Sequence, residues 1–319
     1  MRPQYDIFLP GDYFFDMIYT GLRQFPVLGA EVYSQGLIAT GGAMFITAVA
    51  LRRLGVRAGW AACFGNDYYS DYVHRLAREA DLDLTLAVRV DQPYRRVTTS
   101  IPYQGERAFV TYVDPPPIDI EAHWRRGMAA SDFKHLHLGG LLSIKRLGPL
   151  SEIARAQGAT ISMDCQDNPD LKNVCDWPEL LALVDVFMPN AREAMLITGL
   201  STVQGAVEQL AAWIDPIIVK DGANGVWIGH DGDVIHVRAI DAGPVIDTTG
   251  AGDCFNAGFL YGWVVERAPL SQAAVYGNIC GGLSVTQVGG ATAAPTRAEL
   301  LDWYARLSGG ADAGSERQP

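Results

Sequence analysis

The segment DTTGAGDCF, residues 247–255, holds the residue types best suited to chemistry in this chain. Gly250, Ala251 and Gly252 are small, and they lie between an apolar run and the helix-like stretch NAGFLYGW. If a helix begins here, their backbone N–H groups converge at its N-terminus. Unpaired donors and the positive end of the helix dipole coincide at such a point and bind anions. The segment therefore predicts an anion hole.

Asp253 directly follows Gly252. A carboxylate at this position would repel a phosphate bound beside it. The arrangement makes sense if Asp253 accepts a proton from an incoming hydroxyl, because phosphoryl transfer needs a base next to donors for the phosphoryl oxygens. The alternative is that Asp253 only caps the helix. A dinucleotide loop is disfavoured because Phe255 stands where G-x-G-x-x-G needs a small residue, and no G-x-x-x-x-G-K sequence is present.

Short apolar runs that alternate with helical stretches must position this segment. They are YDIFL at 5–9, RAGWAACFG at 57–65, HLHLGG at 135–140, ATISMDC at 159–165, LVDVFMPN at 183–190 and PIIVKDG at 216–222. The intervals between them leave room for crossover helices, as parallel strands require. We therefore expect an α/β fold with a doubly wound, mostly parallel central sheet flanked by helices.

One part of the chain departs from that alternation. RRVTTSIPY, residues 95–103, and RAFVTYV, residues 107–113, are joined by Gln104, Gly105 and Glu106, which predicts a hairpin. With EVYSQGLIAT, residues 31–40, it would form a small β-sheet lid from parts of 12–40 and 93–114. We expect one domain over residues 1–307, followed by a flexible polar tail at 308–319.

Composition narrows the range of partners. The chain has 25 Lys and Arg against 36 Asp and Glu, a net charge of -11, and no basic cluster, which argues against a nucleic-acid partner. No apolar run reaches the roughly 18 residues that a membrane helix needs. The N-terminus lacks the pattern of a signal peptide, and the five cysteines are scattered. We expect a cytoplasmic protein without a membrane partner.

Four segments, in this order, carry a resemblance to a known family. They are TGGAMFITAVALRRLG at 40–55, MPNAREAMLITG at 188–199, VKDGANG at 219–225 and DTTGAGDCFNAGF at 247–259. Together they resemble the ribokinase, or PfkB, family of carbohydrate and nucleoside kinases over nearly the whole chain. The resemblance implies a ribokinase-like fold. It also implies Mg2+-dependent transfer of the γ-phosphoryl group of ATP to a hydroxyl of a small sugar or sugar derivative.

The resemblance also assigns roles at the donor end. It makes Asp253 the general base and the backbone of residues 250–253 the cradle of the transferred phosphoryl group. Asn190 and Glu193 match the N-x-x-E element, which organises Mg2+ and phosphates, usually through water. The nucleotide-site candidates that it implies are Lys220, Gly222, Gly225 and Asn278.

Two further residues near the anion hole have two readings. Asp247 and Thr249 match positions that supply oxygens to a monovalent cation, such as K+, in several members of the family. The alternative is that their side chains only fix the turn.

At the acceptor end, Asp16, Gly41 and Gly42 match residues that hold sugar hydroxyls, since a carboxylate accepts from adjacent OH groups and glycines expose backbone donors. Arg107 could reach the acceptor from the lid, or could be an ordinary exposed arginine. Ile46 departs from the family, which usually has Asn in G-G-x-x-x-N. The resemblance therefore leaves the identity of the sugar open.

Two rival functions follow from the same residues. A nucleoside kinase of the same family is compatible with Ile46 and with the many aromatic residues near the acceptor end. Those aromatic side chains could stack on a substrate ring, or could bury a homodimer contact between lids. The second rival is a non-catalytic ligand-binding protein on the same scaffold, against which the intact Asp253 and glycine loop speak.

Overall fold

A large sheet and a small sheet organise the computed structural model, which describes residues 2, 4–104, 106–166, 171 and 176–311. The strands are β1 Gln4–Pro10, β2 Tyr13–Thr20, β3 Gly36–Ala43, β4 Ala58–Ala61, β5 Cys63–Phe64, β6 Val88–Arg89, β7 Arg96–Tyr103, β8 Glu106–Val113, β9 Asp132–Leu138, β10 Thr160–Met163, β11 Val186–Phe187, β12 Ile217–Lys220, β13 Val226–His230 and β14 Asp233–Val237. The large sheet has eight of them, in the order β14-β13-β12-β11-β10-β9-β1-β4.

Helices connect the strands of the large sheet and cover it. They are α1 Met44–Arg53, α2 Tyr68–Glu79, α3 Ile120–Ala130, α4 Ile144–Ala156, α5 Trp177–Leu181, α6 Ala191–Thr198, α7 Val203–Ala211, α8 Ala251–Leu260, α9 Leu270–Ser284 and α10 Arg297–Ala311. Two buried clusters of apolar side chains form the core, one including Ile7, Ile218 and Phe259 and the other including Phe8, Leu136 and Ile217. Neighbouring residues of a strand join different clusters because side chains alternate between the two faces of a sheet.

The pairing within the large sheet explains why its apolar runs are continuous. Six strands, from β12 to β4, run parallel, and β13 and β14 add an antiparallel hairpin at the β12 edge. Parallel strands are buried on both faces, so the short runs found in the sequence are typical of them. The predicted α/β fold is confirmed, whereas the β13–β14 hairpin was not predicted.

The small sheet forms the lid and has the strand order β3-β2-β7-β8. The β7–β8 hairpin is antiparallel, as predicted, and Gln104 adopts a left-handed conformation at its turn, with φ of 51°. The glycine pair lies at the end of β3, so Gly41 and Gly42 belong to the lid, and α1 begins two residues later at Met44. The lid is therefore joined directly to the first helix of the large domain.

The C-terminal end differs from the boundary that the sequence indicated. The last helix continues to Ala311, four residues beyond residue 307, and residues 312–319 of the predicted tail lie outside the described residues. Within this helix the Ser308 hydroxyl donates to the Tyr304 carbonyl, 2.9 Å away. None of the helices in the described part of the chain combines the length and apolar character that crossing a bilayer requires.

Candidate active site

The loop before α8 has the conformation that an anion hole needs. Gly250 is the N-cap of α8 and adopts a left-handed conformation, with φ of 70°, which glycine tolerates without steric cost. The carbonyl of Thr248 accepts from Ala251 N–H at 3.3 Å, whereas no described residue accepts from the N–H groups of Gly252 and Asp253. The helix therefore begins with donors that are available to an anion.

Asp247 holds this loop in shape. Its Oδ1 accepts from the backbone N–H of Thr249 at 2.9 Å, and its Oδ2 accepts from the backbone N–H of Gly289 at 3.1 Å. Both Asp247 and Thr249 are buried. These bonds are those of a side chain that fixes a turn, which is one of the two readings of Asp247 in the sequence.

Asp253 lies in the first turn of α8, partly buried, with its carboxylate facing α1. The Thr47 hydroxyl donates to its Oδ1 across 3.4 Å. Burial raises the pKa of Asp253 to about 7, and the negative charges of Asp164 and Asp16 act in the same direction, while Lys220 and the Thr47 bond oppose them. A pKa near neutrality suits a group that must gain and lose a proton during turnover.

A buried ion pair lies beside the glycine loop. The Lys220 ammonium donates to Asp164 Oδ2 at 2.6 Å and to Asn256 Oδ1 at 3.2 Å, and the Asn256 amide also donates to Asp164 Oδ2. Lys220 and Asp164 are 11% and 7% exposed. A Cβ added to Gly252 would lie 3.5 Å from Lys220 Nζ, so the ammonium sits next to the glycine loop.

At the acceptor end, Asp16 lies against the glycine pair. A Cβ at Gly42 would come within 2.1 Å of Asp16 Oδ2, so only glycine fits beside this carboxylate. Burial raises the pKa of Asp16 to about 7, and the charge of Asp247 adds to the effect. Gly41 makes a similarly close approach to the Phe45 ring. The lid strands β2 and β3 thus bring Asp16 towards the loop that carries Asp253.

Ile46 packs against the glycine loop. Its side chain is 1% exposed, and its Cδ1 lies 2.6 Å and 2.7 Å from the positions that Cβ atoms would take at Gly250 and Gly290. The apolar side chain of Ile46 therefore packs directly against the glycine loop. In this chain, position 46 contributes packing to the glycine loop.

Arg107 crosses from the lid to the glycine loop. Its Nη1 donates to Thr249 Oγ1 at 3.4 Å, and its guanidinium also lies over the Phe109 ring at 5.4 Å. The sequence left open whether this arginine points into the cleft or into solvent. The contact with Thr249 brings its positive charge to the glycine loop.

The N-x-x-E element forms a capping box at the start of α6. Asn190 Oδ1 accepts from the Glu193 N–H at 2.9 Å, and Glu193 Oε2 accepts from the Asn190 N–H at 2.8 Å. Glu193 is 1% exposed. Asn190 also pairs with Lys220 in a parallel β-bridge, so the structure brings this element next to the ion pair.

The remaining nucleotide-site candidates lie farther along the same edge. Gly222 faces open space and begins a short 3-10 turn, and Gly225 has a φ of 105° and packs closely against the backbone at Val237. The Asn278 amide donates to the carbonyls of Val237 and Arg238 at 3.2 Å and 2.9 Å. Asn278 therefore braces the chain that faces Gly225.

Three residues near Asp253 were not predicted: Thr47, Asp164 and Asn256. Asp164 follows directly after β10. Because the carboxyl ends of parallel strands meet at one edge of the sheet, its place after a strand could have indicated a site residue. Thr47 lies one residue after Ile46 on α1, and Asn256 lies three residues after Asp253 on α8. The sequence does not show that α1 packs against α8, so neither residue could be assigned to the site from the sequence alone.

The chain is similar in sequence to known proteins. The family described as pfkB family carbohydrate kinase matches residues 34–297. A ribokinase of Haemophilus influenzae is 28% identical over 276 residues, covering 83% of this chain and 87% of its own length. A fructokinase of Vibrio alginolyticus is 27% identical over 287 residues, covering 82% and 90%.

Solved structures show the same fold. A putative ribokinase II from E. coli superposes with a TM-score of 0.78 in its apo form and 0.76 in its complex with ATP and Mg2+. Both pairs share 22% sequence identity and cover 95% of this chain and 99% of the E. coli chain. The ribokinase-like architecture is thereby confirmed.

Proposed function

The chain belongs to the pfkB family of carbohydrate kinases, which are sugar phosphotransferases, and we propose that it transfers the γ-phosphoryl group of ATP to a hydroxyl of a small sugar or sugar derivative. The observation that carries the proposal is the juxtaposition of Asp253 with the open N–H groups at the start of α8. A base and an anion hole on the same helical turn are what phosphoryl transfer to a hydroxyl requires.

In the proposed reaction, Asp253 takes the proton of the acceptor hydroxyl as that oxygen attacks the γ-phosphorus. The bond from phosphorus to the leaving oxygen of ADP breaks, and the N–H groups of the 250–253 loop hold the equatorial oxygens. Lys220 and Arg107 are positive charges at two sides of this loop, and they would offset the charge of the phosphates. Closure of the lid would exclude water that otherwise hydrolyses ATP.

The donor site fits ATP and Mg2+ in the chemistry of its residues. Gly222 opens onto free space beside Lys220, and the anion hole offers unpaired donors, as phosphates need. Asn190 and Glu193 supply the oxygen atoms that Mg2+ prefers, and Glu193, being buried and tied into its capping box, would act through water. Bound Mg2+ would neutralise charge on the phosphates. The E. coli neighbour, whose complex holds ATP and Mg2+, supports this assignment.

Two finer assignments complete the proposal. Asp16, Gly41 and Gly42 would hold the acceptor's hydroxyl groups next to Asp253. Gly225 and Asn278 would border the nucleotide. A monovalent cation such as K+ at Asp247 and Thr249 stays a prediction, and Asp247 already accepts two backbone hydrogen bonds.

A homodimer through the lid is part of the same proposal. Val110 and Tyr112 lie on β8 at the edge of the lid, on the face opposite to Arg107, and they are 65% and 53% exposed. Exposed apolar side chains on an edge strand favour association with a second copy. Sedimentation equilibrium should give a dimer for the native chain and a monomer for Val110→Glu. A native monomer would remove this part of the proposal.

An acceptor panel tests the proposed function. ADP release would be measured with Mg-ATP and ribose, fructose, a keto-deoxy sugar acid, adenosine and cytidine, and a phosphorylated product would be identified for each active compound. We expect at least one sugar or ribosyl compound to give ADP and product in equal amounts. Thermal stabilisation by a compound without any ADP from the panel would instead favour a non-catalytic binding protein.

A further inference from the structure

Asn256 lies on α8 between the proposed base and the buried ion pair. It follows Asp253 within one turn of the same helix, and it is 0% exposed. Its neighbours Phe255 and Ala257 are apolar and buried. Burying an amide costs free energy unless its donor and its acceptor are both paired. The partners of Asn256 therefore show what its amide does in this part of the core.

Asn256 closes a ring of hydrogen bonds with the ion pair. Lys220 donates to both Asp164 and Asn256, and the Asn256 amide donates to Asp164 Oδ2. Only one orientation of the amide pairs with both ions, because the ammonium needs the Oδ1 acceptor and the carboxylate needs the Nδ2 donor. A carboxylate at position 256 would place an oxygen against Asp164 Oδ2, and an apolar side chain would leave each ion with one partner fewer. The ring therefore requires an amide.

The Lys220 ammonium is held from two layers of the fold. Lys220 is the last residue of β12, whereas Asp164 follows β10, and β11 lies between these strands. Neighbouring strands are about 4.8 Å apart, so the lysine side chain reaches across β11 to meet Asp164. Asn256 contacts the same ammonium from α8. One anchor on the sheet and one on the helix fix the ammonium between these two layers.

One N–H of the ammonium is left after these two bonds. Of the three donors of Lys220, two meet Asp164 and Asn256, and the third has no acceptor among the described residues. A Cβ on Gly252 would have Lys220 Nζ at 3.5 Å and, apart from residues of its own helix, no other described heavy atom within 4 Å. The remaining N–H is therefore available to an anion at the start of α8.

His137 does not replace Lys220 as the cation for Asp164. It lies on the same face of the sheet as Asp164, because it pairs in register with Ser162 and side chains two residues apart share a face. Burial lowers the pKa of His137 to about 4; Asp164 opposes this shift, and the charge of Lys220 adds to it. The imidazole is therefore uncharged at neutral pH, and Lys220 supplies the positive charge that balances Asp164.

We propose that Asn256 is a positioning residue for phosphoryl transfer: with Asp164, it holds the Lys220 ammonium so that the third N–H meets the phosphoryl group at the glycine loop. Asn256 itself touches neither ATP nor the acceptor, so its effect on the reaction passes through Lys220. The inference rests on the proposed function, because the phosphoryl group is that of ATP.

A cycle of variants tests whether Asn256 acts through Lys220. Asn256→Leu is made in the native chain and in Asp164→Asn/Lys220→Met, a background that removes both ions and so leaves no buried charge unpaired. The measurements are calorimetric binding of Mg-ATP and single-turnover transfer to the best acceptor. In the native chain we expect ATP affinity to fall about threefold to tenfold and the transfer rate about tenfold to a hundredfold. In the background, Asn256→Leu should change neither quantity further.

Ser131→Ala is the matched control. Ser131 is also 0% exposed, and its hydroxyl donates to the Gly127 carbonyl at 2.8 Å, but it precedes β9 at the opposite edge of the sheet. Its loss should leave ATP affinity and the transfer rate unchanged. If thermal unfolding shows that Asn256→Leu is poorly folded, Asn256→Ser takes its place in the cycle.

Equal losses from the change at position 256 in both backgrounds would overturn the inference, because Asn256 would then act without Lys220. The absence of any loss in the native chain would also overturn it. Phosphoryl transfer by the native chain would in either case leave the proposed function standing. ATP binding without ADP from any acceptor would contradict the kinase proposal, and the cycle in ATP affinity would still decide the role of Asn256.

Discussion

The Thr47 hydroxyl donates to Asp253 Oδ1 across 3.4 Å and joins the first helix after the lid to the helix that begins at the anion hole. Because lid strand β3 ends at Ala43 and α1 begins at Met44, Asp253 is connected through α1 to the lid sheet that carries Asp16 and the glycine pair. Acceptor binding under the lid and proton removal by Asp253 are therefore linked through one helix in the account proposed here.

The first prediction concerns pH. The pKa of Asp253 is raised to about 7, chiefly by burial, so the basic carboxylate form is lost as the pH falls below that value. We expect kcat/KM to rise between pH 5 and pH 8 with a midpoint near 7. Asp16→Asn removes a neighbouring negative charge, so it should move the midpoint to lower pH and also raise KM for the acceptor. A profile that is flat from pH 5 to pH 8 would contradict this role.

The second prediction concerns the buried ion pair. Lys220→Met leaves Asp164 buried without its cation, and such a change lowers the free energy of unfolding by about 3–5 kcal/mol. Lys134→Met is the control, because Lys134 pairs with Asp6 at 2.8 Å on a more exposed surface, where about 1 kcal/mol or less is expected. Urea unfolding measures both variants. Equal small losses would mean that Lys220 and Asp164 are not tightly paired.

The third prediction concerns the lid arginine. Arg107→Ala removes the contact with Thr249 and a positive charge at the mouth of the anion hole. Since a hydrogen bond to a charged group contributes about 1.5–3 kcal/mol, we expect kcat to fall about tenfold to a hundredfold. The melting temperature should change little because the side chain is on the lid surface. Arg23→Ala, at an exposed position, is the control, and a similar loss in both variants would count against a specific role.

The fourth prediction concerns Ile46. Ile46→Asn restores the amide usual in the family, but it buries a polar group against Gly250 and Gly290. We expect the free energy of unfolding to fall by roughly 2–4 kcal/mol and turnover with ribose not to improve. Ile46→Val should cost only about 0.5–1.5 kcal/mol. Full stability together with new ribose kinase activity would show that Ile46 determines specificity and does not serve packing.

Much of the fold was predictable because parallel strands produce a pattern visible in the chain itself. Apolar runs separated by helix-length intervals predicted the central sheet. The β13–β14 hairpin was missed, since β14 is mostly exposed and lacks a buried run, although β13 is largely buried. Strand β11 is only two residues long, although the apolar run around it spans 183–190.

The sequence predicted the candidate site only where the functional residues lie next to each other in one segment. The glycine loop and Asp253 lie next to each other in sequence, so their shared helical turn could be inferred. Asp164 lies 56 residues from Lys220, and their contact depends on two strands meeting at one sheet edge. Asp12, Arg96 and Trp124 line one cavity, to which the lid and α3 both contribute. Such long-range pairings leave no local pattern in the chain.

The central claim is that Asp253 removes the proton from the acceptor hydroxyl. The direct measurement is single-turnover phosphoryl transfer by Asp253→Asn, by rapid quench with the best acceptor of the panel, alongside calorimetric ATP binding. We expect ATP affinity to stay close to that of the native protein and the rate of transfer to fall by at least about a hundredfold. A transfer rate within a few fold of the native rate would contradict the assignment of Asp253 as the base.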